Sequence, residues 1–135
     1  MIAVDSNVIA YLLIDGAKTG DARSLRALDP DWHTEAFALV ELTNILATSI
    51  REGRLGLDAG LKLLSEAESM LERGTHAVPH DDALSLADRF RITAYDARYL
   101  GIALGLGVRL VTEDRRLRKA APELTRSLAE AVAGR

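Results

Sequence analysis

Close to its start the chain carries Ile2-Ala3-Val4, apolar at three consecutive positions, and then stops the run with Asp5-Ser6-Asn7. A strand with one wet face alternates apolar and polar residues. An unbroken apolar run bounded by turn formers therefore predicts a strand buried on both faces. Strands of that kind belong to parallel sheets covered by helices, so the run directs the chain toward an α/β arrangement.

The remaining patterns supply the helices. Val8 to Leu13 reads as a brief helix, and Asp15 to Gly20 as a loop. Trp32 to Thr34 is a candidate second strand. From Phe37 to Arg51, Leu39, Leu42, Ile45, Leu46 and Ile50 recur at helical spacing, and Gly53 supplies a stop. A further helix is expected over Leu57 to Glu72, with Gly74 after it, and a short strand over Thr75 to Val78. Asp81 or Asp82 can cap a helix ending at Phe90. Thr93 to Leu106 follows as a helix rich in small residues. Val108 to Val111 is the clearest late strand, and a helix from Glu113 to Ala120 is closed by Pro122. Strands alternate with helices, without repeats or linkers, which predicts one α/β domain over residues 1–135 around a short parallel sheet.

Composition narrows the function. The longest apolar stretch near the start, Val8 to Ile14, is seven residues, far short of the ~20 a membrane span needs. No charged leader precedes it, so it is not read as a signal peptide. Cysteine is absent, which removes disulfides, zinc ribbons and thiolate chemistry and fits a reducing cytoplasm. The net charge of −3 gives no general pull on nucleic acid. Its distribution is uneven, however. Arg109, Arg115, Arg116, Arg118 and Lys119 cluster against Glu113 and Asp114, and only three of the 17 basic residues are lysines. Arginine is the better fork for phosphate oxygens, although such a run also serves as a solvated face.

Four carboxylates each have two readings. Ligands of an open parallel sheet gather beyond the carboxyl ends of its strands. Asp5 directly follows the first strand and Asp114 lies just past the last. Either can instead cap or favour the start of the next helix. Glu41 sits about 40° around its helix from Ile45, at the margin of the apolar face, where a carboxylate faces a cleft or snorkels to solvent. Thr93-Ala94-Tyr95-Asp96 fits a capping box, which gives Asp96 a structural role as well.

Taken together, Asp5-Ser6-Asn7, Glu41-Leu42-Thr43-Asn44, Tyr95-Asp96-Ala97-Arg98-Tyr99 and Leu110-Val111-Thr112-Glu113-Asp114 resemble the signature of the PIN-domain superfamily, in the right order along nearly the whole chain. The compact length is most similar to the VapC-like toxins of toxin–antitoxin modules. Ser6 stands where many relatives have Thr, and keeps the hydroxyl. The resemblance implies a three-layer-like fold, a central short parallel sheet flanked by helices. It implies that Asp5, Glu41, Asp96 and Asp114 converge on one acidic pocket for Mg²⁺ or Mn²⁺, with Ser6 and Thr112 as supporting hydroxyls and Asn7 bracing the loop. It further implies an endoribonuclease in which water attacks RNA phosphodiesters in line, leaving a 5′-phosphate and a 3′-hydroxyl. The partners it implies are RNA, a cognate protein antitoxin and a second copy of the chain in a homodimer. Arg98, Arg115, Arg116 and Arg118 are candidate RNA or antitoxin contacts. Hard divalent cations want oxygen ligands, which accounts for the residue types.

Three rivals lie further off. His80-Asp81-Asp82, with His33 and His76, suggests a metal phosphohydrolase of the HD type, but that fold needs its histidines on helices and Thr75 to Val78 reads as a strand. A receiver domain wants an acidic pair after the first strand and a lysine after a late one, where this chain has Ser6 and Thr112. Gly101, Gly105 and Gly107 fall within or at the end of a helix and form no nucleotide loop. Within the PIN class, the alternatives are an RNA-processing nuclease without a toxin role and a catalytically silent binding module.

Overall fold

A computed structural model describes residues 1–135. Five short strands form one parallel sheet: β1 (Ile2–Val4), β2 (Trp32–Glu35), β3 (Thr75–His76), β4 (Leu110–Val111) and β5 (Thr125–Arg126). Their order across the sheet is β3-β2-β1-β4-β5. The expected strand at Ile2–Val4 is therefore the central one. Ala3 pairs with His33 on one side and Leu110 on the other. The chain winds outward through β2 and β3, then returns across β1 to build β4 and β5. This reversal makes the carboxyl ends of β1 and β4 a topological switch point, where the loops diverge and leave a crevice.

Eight helices flank the sheet: α1 (Ser6–Leu13), α2 (Thr19–Leu28), α3 (Phe37–Arg51), α4 (Leu57–Met70), α5 (His80–Phe90), α6 (Ala94–Leu106), α7 (Arg115–Ala120) and α8 (Leu128–Val132). Helix α6 packs on β1, β2 and β4, while α1 packs on α2 and α3. The continuous apolar run of β1 now has its reason: Ala3 and Val4 are fully buried, as are Leu110 and Val111 beside them. Leu42 on α3 and Leu100 on α6 are fully buried as well. They lock the two helices that carry Glu41 and Asp96 to the core. Truncating such a leucine to alanine costs about 2–5 kcal/mol.

Two glycines have specific duties. Gly53, with φ of +73°, follows α3 and lets the chain turn away where a side chain would be strained. Gly74 brings β3 onto β2, its carbonyl accepting from Thr34 N–H at 2.8 Å. A Cβ there would come within 2.0 Å of the Trp32 carbonyl oxygen.

Several boundaries differ from the sequence expectation. The loop expected at Asp15 to Gly20 gives way at Thr19, where α2 begins and runs to Leu28. Its buried residues are only Thr19, Ala22 and Leu25, a stripe too thin to stand out against its arginines and aspartate. The Thr19 hydroxyl closes the preceding turn, accepting from Gly16 N–H at 3.0 Å and donating to the Ile14 carbonyl at 3.1 Å. Neither Asp81 nor Asp82 caps α5. The N-cap is Pro79, and both acids lie in the first turn, where they suit the positive end of the helix. The strand expected over Thr75 to Val78 is confined to Thr75–His76, and α7 begins at Arg115 rather than Glu113.

Candidate active site

Asp5 leaves the end of β1 and is only 5% exposed. Its two oxygens have different duties. Oδ1 accepts the Val8 N–H at 3.0 Å and caps α1, while Oδ2 accepts the Thr112 hydroxyl at 2.6 Å from the end of β4. One side chain thus caps α1 and ties the end of β1 to the end of β4. The Thr112 oxygen in turn accepts the Asp114 N–H at 3.1 Å, which ties the β4–α7 loop to β1. Asp114 caps α7, its Oδ1 accepting from Arg116 N–H at 2.9 Å and Leu117 N–H at 3.1 Å.

The other two acids arrive on helices. Glu41 on α3 receives two donors at Oε1: the Tyr99 hydroxyl from α6 in a short hydrogen bond, and the Ser6 hydroxyl from α1 at 3.3 Å. Three elements therefore meet on one carboxylate oxygen. Asp96 lies in the first turn of α6, where its N–H donates to the Thr93 hydroxyl at 3.1 Å. No bond returns from the Thr93 N–H to the Asp96 carboxylate, so only half of the expected capping box forms.

Electrostatics link the four. Burial pushes the Asp5 carboxyl up from 3.8 to about 6, opposed by the Thr112 and Val8 hydrogen bonds and reinforced by the charges of Glu41 and Asp114. Burial also raises Asp96, helped by Asp114 and Glu41 and opposed by the Thr93 hydroxyl. Each of these two acids feels the same pair of neighbours, which is the signature of crowded like charge. The Tyr99 hydroxyl is held well above its usual range, first by burial and then by Glu41, so it stays a donor. Glu113 faces other partners, Lys18 at 2.7 Å and Arg118 at 3.8 Å. Asp114 rather than Glu113 is thus the acid of this loop that acts on Asp5 and Asp96.

Ser6, Asn7, Glu41 and Asp96 line a cleft of about 590 Å³. A second hollow of about 650 Å³ between α5 and α6 is lined by Val78, Leu86, Ile102 and Leu106, with His76 and Asp82 its only ionisable residues. Chemistry favours the first. Its donors are hard oxygens in excess negative charge, the condition a divalent cation relieves. No group of three or more histidines, aspartates or glutamates stands close enough together to hold a metal ion, and of the four acids only Glu41 and Asp96 line the cleft.

The arginines divide. Arg115 and Arg116 are exposed at the start of α7, while Arg118 is half-buried and pairs with Glu113. Arg98 departs from its expected place among the RNA or antitoxin contacts. Its guanidinium bonds Glu35 at 3.1 Å, the Val78 carbonyl at 3.1 Å and His80 at 2.7 Å. Glu35, at the end of β2, is 2% exposed and also accepts the Phe37 N–H that opens α3. Arg98 thus joins α6 to β2 and α3 from within. Tyr99, read in the sequence only as the end of the Tyr95–Tyr99 motif, gains a role here as a donor to Glu41. Its spacing of three from Asp96 on α6 places the two on one helix face, which was the available signal.

A parallel sheet ordered 3-2-1-4-5, with Asp5 and Asp114 beyond the carboxyl ends of β1 and β4 at its switch point, defines a class of domain. The chain belongs to the PIN domain family, whose sequence pattern it matches over residues 2–122. Within that family it is VapC-like: it is 30% identical over 126 residues to Ribonuclease VapC3 of Pyrobaculum aerophilum, covering 91% of this chain and 96% of that one. The crystal structure of PAE2754, also from Pyrobaculum aerophilum, shares the fold with a TM-score of 0.77 at 22% identity, over 97% of this chain and 85% of that one.

Proposed function

We propose that the chain is a divalent-metal-dependent endoribonuclease and the toxin of a toxin–antitoxin pair. The observation that carries this reading is the placement of Glu41 and Asp114 near enough to Asp5 and Asp96 for their charges to raise both carboxyls, joined to the likeness to Ribonuclease VapC3. Asp5, Glu41, Asp96 and Asp114 are the residues that would hold Mg²⁺ or Mn²⁺. When bound, the ion neutralises phosphate charge and lowers the pKa of water, the chemistry that in-line hydrolysis needs. The protein's part is to fix the geometry. Thr112 and the α1 N-terminus orient Asp5, while Ser6 and Tyr99 hold one oxygen of Glu41 and leave the other available. Asn7 sits at the mouth of the cleft, where its amide meets substrate. Attack by water leaves a 5′-phosphate and a 3′-hydroxyl.

Arg115 and Arg116 bear on RNA backbone or on the antitoxin. The active form is a homodimer in the cytoplasm, restrained by a small antitoxin whose tail enters the acidic cleft. Incubation of the purified protein with structured RNA, with Mg²⁺ or Mn²⁺ and with chelator, tests the reaction. Cleavage is expected only with metal, and products bearing 5′-phosphates. Metal-independent cleavage, or products with cyclic phosphates, would contradict it. Co-expression with whatever small reading frame adjoins the gene tests the toxin role. Relief of growth arrest is expected, and its failure moves the protein to RNA processing.

A further inference from the structure

Two aromatic rings beside the acids are not used by the fold. Phe37 opens α3 and Tyr95 lies in the first turn of α6, each next to a candidate ligand: Phe37 one turn before Glu41, and Tyr95 adjacent to Asp96. The rings stack with centroids 5.3 Å apart and planes 18° from parallel. Tyr95 is 60% exposed, and neither ring belongs to the apolar core or packs against it. Both rings line the same cleft as Glu41 and Asp96, together with Asn7 and Asn44. Both asparagines are exposed.

Resting on the nuclease reading above, we propose that the Phe37–Tyr95 stack is a platform for one unpaired base of the RNA, in the nucleotide flanking the scissile phosphate. The chemistry favours a base over other occupants. Every nucleobase offers a neutral π-face, so it can enter a cleft whose carboxylates repel anionic side chains. Near-parallel rings offer a flat surface that matches a base plane, and two amides supply both donors and acceptors to a base edge. An apolar peptide side chain would leave those amides unpaired. The platform also sits within one residue of Asp96 and one turn of Glu41, which ties the stacked nucleotide to the site of cleavage. Asn7 and Asn44 then set which base is preferred.

The test is steady-state cleavage of short single-stranded oligo(A), oligo(C) and oligo(U) in Mg²⁺ by wild type, Tyr95→Ala and Tyr95→Phe, with thermal melts to verify folding. Loss of one base stack is expected to raise KM about five- to 150-fold in Tyr95→Ala. Tyr95→Phe keeps the ring and is expected to recover that loss. Wild-type KM in Tyr95→Ala overturns the proposal and hands the cleft to a protein side chain of the inhibitor. Equal impairment in Tyr95→Phe overturns it too, since the hydroxyl and not the ring would be at work. A lowered kcat at wild-type KM would make Tyr95 a positioning residue for Asp96, again against the proposal. A wild-type protein that cleaves no RNA refutes the nuclease reading itself, which separates the two failures.

Discussion

Asp5→Asn should make the metal-free protein more stable while removing its response to metal. Burial raises the Asp5 carboxyl from 3.8 to about 6, so between those values the folded state holds a proton that the unfolded state has released. Folding stability therefore falls as pH rises through that window. Above it, the ionised Asp5 costs the fold about 3 kcal/mol at 1.36 kcal/mol per unit. Asparagine keeps an oxygen for the Val8 N–H, since Asn and Asp cap helices comparably. It loses the charge-assisted bond from Thr112, at 2.6 Å in the wild type, which offsets part of the gain. A net rise of about 1–3 kcal/mol follows at pH 8 in chelator, or about 3–10 °C in Tm for a chain of this size. At pH 4 most of this difference should be gone, and well below 3.8, where Asp5 is neutral in both the folded and the unfolded state, it should vanish. Added Mg²⁺ or Mn²⁺ should then raise the wild-type Tm by mass action, about 2.7 kcal/mol at a hundred times Kd, and leave Asp5→Asn unmoved. Melts at pH 4, 6 and 8, with chelator and with metal, read all of these together. A less stable Asp5→Asn at pH 8 in chelator would refute the argument, because Asp5 would then serve chiefly as a stabilising cap.

Other substitutions probe the remaining groups. Asp96→Asn keeps the backbone bond to Thr93 and relieves a raised carboxyl, so its apo Tm should hold or rise while its metal-induced shift shrinks; a lower apo Tm with an intact metal shift would remove Asp96 from the site. Tyr99→Phe frees Glu41 from its donor on α6 and should increase the Mg²⁺ concentration for half-maximal cleavage, with a stability change of about 1 kcal/mol. Neutralising Arg115 and Arg116 should flatten the salt dependence of RNA binding by about 0.7 of a log–log slope unit for each single-strand phosphate that is no longer neutralised. Arg98→Gln should instead lower stability by about 3 kcal/mol in urea unfolding, because it strands the buried Glu35.

The parts legible in the sequence were those with an apolar pattern of their own. β1 showed as an unbroken run, and α3 through five apolar positions at helical spacing. β5, two residues of Thr125–Arg126, and α8, five residues after it, escaped because neither is long enough for a periodic pattern to repeat. α2 escaped because its buried stripe is two apolar residues wide. At the site, Asp5 and Asp114 could be placed from strand ends and Glu41 from its angle on α3. Their pairing depended on the order of strands, which no local pattern records. Arg98 was misplaced for the same reason: its partner Glu35 is 63 residues away in sequence, on β2, and only the packing of α6 on that strand reveals it.

The proposed function stands on four carboxylates from separate elements acting as one cation site. Calorimetric titration of Mn²⁺ into the metal-free protein is the sharpest test, with wild type compared with Asp5→Asn, Glu41→Gln and Asp96→Asn. Binding by the wild type is expected, with at least tenfold weaker binding in each variant. No binding by the wild type, or undiminished binding in all three variants, would contradict it.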